Sequence, residues 1–379
     1  MYFRLNPECF LVEGDHCGAI YDLIDGHLYA LTANESALIK HCESNGGVKE
    51  NEPFLQELKR LCIGNFFNKP IYIEKIRLGA PIQEYQPSNP PHVAKVFLEI
   101  NNKCKESCWY CGRNGIHRSL GCIGCNIWNE KGNNLSTERW KQLIDELRDL
   151  ECQSIYITGG DLTFVWDEVL ELIDYAGDSF RKLFVTLNEH NYTDLLTESL
   201  GSGVQPIIQV TNHERISKDY FNLFVIDGDK YSDIKGLNVD NVAMDIVSSN
   251  FYNLPSNSPL ISKKKFAPVN IYRFLHNKKF HPCLGNSLAI SWTGEVMPCI
   301  MLRSHTLGNI RNKCLYTCFE KKEEEIKRLW TMNLDSIQKC RACEFRYACT
   351  DCRALEEKLT GDLYGKKLCN YVPERGVWI

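Results

Sequence analysis

The stretch VFLEINNKCKESCWYCGRNGIHRSLGCIGC, residues 96–125, runs from an apolar-rich strand signal straight into five cysteines. VFLEIN at 96–101 has the β-branched and aromatic content of a buried strand. Cys104, Cys108 and Cys111 follow at CxxxCxxC spacing. Three thiolates so placed can hold three corners of a cubane iron–sulfur cluster and leave its fourth iron open, whereas a structural zinc site takes four protein ligands. On spacing alone, zinc ligation and buried free thiols stay open as alternatives. Cys122 and Cys125 read either as thiols of a surface loop or a closed local dithiol, or as a redox or ligating pair.

Working outward, strand signals recur at 96–101, 154–160, 182–188, 206–212, 242–247 and 267–274. Between the first two lies STERWKQLIDELRDL, capped near Ser136, with Trp140, Leu143, Ile144, Leu147 and Leu150 on one face. Strand, helix, strand in that order implies α/β architecture with a parallel sheet, here a partial (β/α)6 barrel. Between 213 and 241 the pattern is weakest, since LFVID at 223–227 reads as a strand of its own.

Nineteen cysteines is an odd number and far more than a chain of 379 residues needs, and in a reducing compartment metal ligation explains them better than disulfides. A net charge of −4 gives no basic surface for nucleic acid, and no apolar run has the length of a membrane span. The start, MYFRLNPECF, lacks a secretory layout, so a cytoplasmic location is expected. HExxH, P-loop and GxSxG patterns are missing, which removes the common hydrolase and nucleotide-binding classes.

Residues 1–70 hold 6 Lys+Arg against 10 Asp+Glu, which leaves the remainder balanced. They read as a small α+β domain: YFRLNPECFLVEG and GAIYDLIDGHLYALT as strands, the second broken at Asp25-Gly26, then helices over 33–44 (capped by Asn34) and 51–63 (with Pro53 early). Four prolines mark 79–92 as a linker. The expected divisions are 1–78, 79–92, 93–280 and 281–379.

NKCKESCWYC, with Tyr110 before its last cysteine, resembles the cluster loop of radical S-adenosylmethionine enzymes, and ITGGD at 157–161 resembles their GGE motif. The resemblance implies that Cys104, Cys108 and Cys111 hold a [4Fe-4S] cluster whose open iron chelates S-adenosylmethionine. Tyr110, Gly159, Gly160 and Asp161 would then contact that cofactor. In the family, one-electron reduction releases a 5′-deoxyadenosyl radical that abstracts a substrate hydrogen. Glycines also let backbone approach a ligand closely, and Asp161 stands where Glu is usual.

Cys283, Cys299, Cys340, Cys343, Cys349, Cys352 and Cys369 resemble the seven-cysteine SPASM region, which implies two auxiliary [4Fe-4S] clusters and three in all. Two departures stand out: Cys349 and Cys352 are separated by two residues where three are usual, and no cysteine lies just upstream of Cys283. Carried over by position, Cys340, Cys343, Cys349 and Cys369 complete the distal cluster. Cys283, Cys299 and Cys352 give the nearer one only three thiolates. Its fourth corner is either open to a substrate thiolate or filled by His281, Cys314 or Cys318. CxxCx5CxxC taken alone could instead wrap zinc.

The amino-terminal layout is similar to the winged-helix element of peptide-modifying radical enzymes, where a precursor's leader adds a strand to a sheet edge. That implies pockets near Phe10, Leu11 and Val12, and a segment separable from the clusters. The expected function is cross-linking of a ribosomally made precursor peptide, with flavodoxin or ferredoxin as electron donor. Alternatives are sulfatase-maturase-like oxidation, epimerisation, or a non-catalytic zinc-rich scaffold that binds a peptide.

Overall fold

The computed structural model describes residues 1–77, 92–115, 117–228, 241–248, 266 and 268–379. The proline-rich stretch 79–92, apart from His92, lies outside them. At the amino terminus β1 (Tyr2–Leu5), β2 (Cys9–Glu13), β3 (Gly18–Asp22) and β4 (Leu28–Leu31) precede α1 (Ala33–Glu43), α2 (Pro53–Arg60) and β5 (Gly64–Phe67). β2, β3 and β4 form an antiparallel sheet, while β1 pairs with β5. The first expected strand is therefore two, and the second is the expected hairpin of β3 and β4. Pro7 interrupts the first, and the second breaks at Gly26, whose φ of +76° suits glycine. The cap of α1 is Thr32, not Asn34, because Thr32 and Glu35 form a reciprocal capping box.

The central layer begins with β6 (Lys95–Asn101), β7 (His117–Arg118), α3 (Thr137–Asp149), β8 (Ser154–Gly159), α4 (Trp166–Ala176) and β9 (Lys182–Asn188). It continues through α5 (Asp194–Ser199), β10 (Val204–Val210), β11 (Phe221–Asp227) and β12 (Val242–Ser248). Then come α6 (Ile271–Lys279), β13 (Ser287–Ile290), β14 (Glu295–Met297), β15 (Gly308–Asn309), α7 (Leu315–Trp330), α8 (Gln338–Arg341), α9 (Arg353–Thr360), β16 (Tyr371–Val372) and β17 (Val377–Trp378).

Among the described residues ten strands make one sheet in the order β15-β14-β13-β6-β8-β9-β10-β11-β12-β7. β13 through β12 run parallel, with antiparallel strands at both margins, and the sheet is open. Two strand expectations change. Residues 268–274 form no strand: the Asn270 side chain accepts from the Arg273 N–H and caps α6, whose buried Phe274 and Asn277 follow helical spacing. The parallel run instead gains β11, which contains LFVID, and β13, making seven parallel strands among the described residues.

Ser136 caps α3 as expected, accepting from the Arg139 N–H at 3.2 Å. Trp140, Leu143, Ile144 and Leu147 are buried against Val96, Leu98 and Ile100 of β6. Each such side chain contributes about 1.5–3 kcal/mol by burial. The alternate residues of β6 face the concave side, where Phe97, Tyr156 and Phe184 stack in succession at 4.8 and 4.4 Å. No helix among the described residues is long and apolar enough to cross a membrane.

Candidate functional site

Cys104, Cys108 and Cys111 lie beyond the carboxyl end of β6, where a parallel βα sheet collects reactive groups. They line one small cavity together with Tyr110, Cys125, Asn126, Ile127, Gly160 and Asn188. The Glu106 N–H points at the Cys104 sulfur (3.4 Å) and the Ile127 N–H at the Cys111 sulfur (3.5 Å). Such donors stabilise sulfur that carries negative charge. Burial pushes the Cys104 and Cys108 thiols up, so ligation would have to drive their deprotonation. Tyr110 is buried beside Val225 and Val247, its hydroxyl reaching no hydrogen-bond partner. The three thiols, the sulfur-directed N–H groups and this orphaned hydroxyl fit a cluster with an organic ligand.

The glycines of ITGGD are required by the protein itself. A Cβ on Gly159, where φ is +128°, would come within 2.5 Å of the Asn101 carbonyl, and one on Gly160 within 2.2 Å of the Lys103 carbonyl. The Gly160 and Asp161 N–H groups donate to those same carbonyls, which ties the end of β8 to the cysteine loop. Asp161 Oδ1 accepts from the Thr163 N–H, the Thr163 hydroxyl and the Asn191 amide. That oxygen is thus occupied in capping the turn that leads to α4.

Residues 117–126 are not a surface loop. β7 pairs with β12, and the following turn crosses the concave face, where Thr186 and Thr158 donate their hydroxyls to the carbonyls of Ile123 and Gly124. Arg118, fully buried, is paired with Asp245 of β12 at 2.6 Å and also donates to Gln209 of β10. These polar partners escaped sequence reading, since their signal is only a polar residue near the end of a strand. The same turn carries Cys125 into the first cavity, where the Gln209 amide donates to its sulfur at 3.1 Å. Burial, followed by the opposing pull of Arg118, leaves the Cys125 thiol pushed up to about 12.

At the other end of the chain Cys340, Cys343, Cys349 and Cys369 line a second cavity with Lys339, Lys366 and Arg346, cations that suit a net-negative cluster. The Phe345 N–H points at the Cys343 sulfur, 3.4 Å away. Cys283, Cys299 and Cys352 form a third group: burial first, then Cys283 and Cys299, pushes the Cys352 thiol up. Among the described residues no three His, Cys, Asp or Glu side chains converge to hold a single metal ion.

The expected candidates for the fourth corner are placed elsewhere. His281 Nδ1 accepts from the Cys283 and Leu284 N–H groups at 3.1 and 3.0 Å, so Nε2 carries the proton toward Asp351 at 3.1 Å. Neither nitrogen is left to ligate. Cys314 is exposed at the start of α7, and Cys318 packs against Gly308 with Lys313, Glu146 and Arg139 as charged neighbours.

Residues 98–252 match the family model of the Radical SAM superfamily, and residues 282–344 that of the SPASM iron-sulfur cluster-binding domain. The chain is a radical SAM protein with a SPASM domain, α/β in class. No curated protein matches it significantly. Similar solved structures include Streptococcus suis SuiB bound to its precursor peptide SuiA, at 12% identity over 94% of this chain and 97% of that one, with a TM-score of 0.44. BtrN in complex with AdoMet and 2-DOIA is another, at 15% identity over 68% and 93% and a TM-score of 0.38. Scores this low do not establish a shared arrangement.

Proposed function

We propose that this radical SAM protein modifies a ribosomally synthesised precursor peptide, closing a thioether or carbon–carbon cross-link. The observation that carries the reading is the cavity shared by Cys104, Cys108 and Cys111 at the strand ends, within one chain that also gathers two further thiol groups. Cys104, Cys108 and Cys111 would hold the first cluster, Cys340, Cys343, Cys349 and Cys369 the distal one, and Cys283, Cys299 and Cys352 the nearer one. With these clusters and S-adenosylmethionine bound, the site supplies the radical chemistry of its family, fed by a donor such as flavodoxin or ferredoxin. The chain's own residues then orient and shield. Gly160, Asn188 and Tyr110 shape the cavity, and the buried Arg118–Asp245 pair keeps the turn seated across the concave face.

A peptide is favoured as substrate because β4 pairs on one side only, with β3, leaving an edge among the described residues to which an extended chain can add. The test is mass spectrometry of a short Cys-containing or aromatic peptide encoded beside the gene, with and without co-expression. Cross-link closure removes two hydrogen atoms and, for a thioether, protects the cysteine from alkylation. An unchanged mass and a freely alkylated thiol would contradict the reading.

A further inference from the structure

The turn Gly121–Ile123 points in a direction that the spacing of its cysteines does not disclose. Cys125 turns toward the first cavity, whereas Cys122, three residues earlier, packs in the same core cluster as Cys299 and Cys352. The groups that act most strongly on the Cys122 thiol are, in order after burial itself, Cys299, Cys283 and Cys352, with Lys95 opposing. The relation is reciprocal at the cation: burial pushes the Lys95 ammonium down, but Cys283, Cys122, Tyr156 and Cys299 outweigh it and hold it above its ordinary value. Three thiols thus act on the half-buried Lys95, Cys283 and Cys299 from the carboxy-terminal region and Cys122 from the turn across the sheet, and Cys352 joins the same group through Cys283 and Cys299. The turn is held there by the Thr158 and Thr186 hydroxyls and by the Asn126 amide, which donates to the Gly121 carbonyl at 2.8 Å. The Met301 N–H, 3.4 Å from the Cys299 sulfur, adds a donor to the group.

We propose that Cys122 is the fourth ligand of the nearer auxiliary cluster, completing the set Cys283, Cys299 and Cys352. This rests on the reading that the SPASM region binds two clusters. On ligation the Cys122 thiol gives up its proton and binds as thiolate. Two consequences follow. The cluster has no open corner for a substrate thiolate, which restricts it to passing electrons, and it fastens the concave face of the sheet to the carboxy-terminal domain. Lys95, on which Cys283, Cys122 and Cys299 all act, offsets part of the group's negative charge.

The test uses the full chain carrying Cys104→Ala, Cys108→Ala and Cys111→Ala, which removes the first site and isolates the auxiliary clusters. After anaerobic reconstitution this parent should hold about eight irons per chain, as two four-iron clusters. Its reduced EPR spectrum should not shift when 2-mercaptoethanol is added. Adding Cys122→Ala should either drop the iron by about half or leave a spectrum that shifts with the added thiol. Cys122→Ser, which keeps an oxygen ligand and guards against misfolding of the alanine variant, should retain the iron with an altered signal. Cys314→Ala and Cys318→Ala should match the parent. A parent spectrum that shifts with added thiol, or a Cys122→Ala variant identical to it in iron and spectrum, overturns the assignment. A parent without iron overturns the two-cluster reading on which it rests.

Discussion

Tyr21 of β3 donates its hydroxyl hydrogen to the Glu344 carbonyl, 2.9 Å away and 323 positions further along the chain. Around it Phe274 packs at a tilt against Phe10 and Tyr21, ring centroids 5.1 and 5.3 Å away, the Asp15 N–H donates to the Ala342 carbonyl, and Arg346 donates to the Glu13 carbonyl. Val12, Tyr21, Phe345, Tyr347 and Tyr371 share one core. The small amino-terminal sheet is thus packed against the segment that carries Cys343 and Cys349. Phe10 and Val12, expected to offer pockets to a leader, face this core instead.

This packing predicts that deleting residues 1–77 strips iron from the distal site as well as weakening peptide binding. A separable recognition module would leave the iron untouched, so iron content of the truncated and full chains decides between the two. The point variant Tyr21→Phe should cost about 1 kcal/mol in a denaturant titration, the value of one hydrogen bond.

Most of the parallel sheet was legible because Val96–Asn101, Ser154–Gly159 and Lys182–Asn188 are short apolar runs ahead of polar loops. β12 was legible for the same reason. The exchange of 267–274 for β11 had a physical cause: Val269, Ile271, Tyr272 and Phe274 have strand-like composition, and only the Asn270 cap turns them into a helix. The first cysteine group could be read from local spacing. The partners of Cys122 and of Arg118 could not, since they meet only after the chain folds back across the sheet.

Breaking the buried Arg118–Asp245 pair should be severe. Arg118→Met leaves the fully buried Asp245 carboxylate without its counter-ion, holding only the Leu120 N–H, with an expected loss of about 3–5 kcal/mol. Thermal unfolding of Arg118→Met beside the double variant Arg118→Met/Asp245→Asn checks it. The double variant should recover part of the loss, and equal stabilities for both would remove the charge argument.

Acid sensitivity has an identifiable contributor in His276, pushed down by burial from an ordinary 6.5 to about 4. The folded state holds this imidazole neutral, so its contribution is complete above pH 6.5 and is lost as pH falls from there toward 4. The size is on the order of 3 kcal/mol. His276→Gln should flatten that part of the stability profile between pH 6.5 and 4. A profile unchanged by the substitution would refute the assignment.

Cys340→Ala or Cys369→Ala should lower the unfolding temperature of the reconstituted protein more than Cys104→Ala does. Lys366 and Arg346 keep their partners Asp351 and Asp335, so the loss is the binding free energy of the distal cluster, which in this region is folding free energy. Differential scanning calorimetry on anaerobic samples makes the comparison, and equal temperatures for all three variants would count against it.

The central claim is tested most directly by the formation of 5′-deoxyadenosine from S-adenosylmethionine under strong reductant, measured for the reconstituted full chain and for Cys104→Ala, Cys108→Ala and Cys111→Ala singly. The account predicts turnover by the unsubstituted chain and none by any variant, because two thiolates do not retain the cluster. Product from any one of the three, or none from the unsubstituted chain with its iron in place, would contradict it.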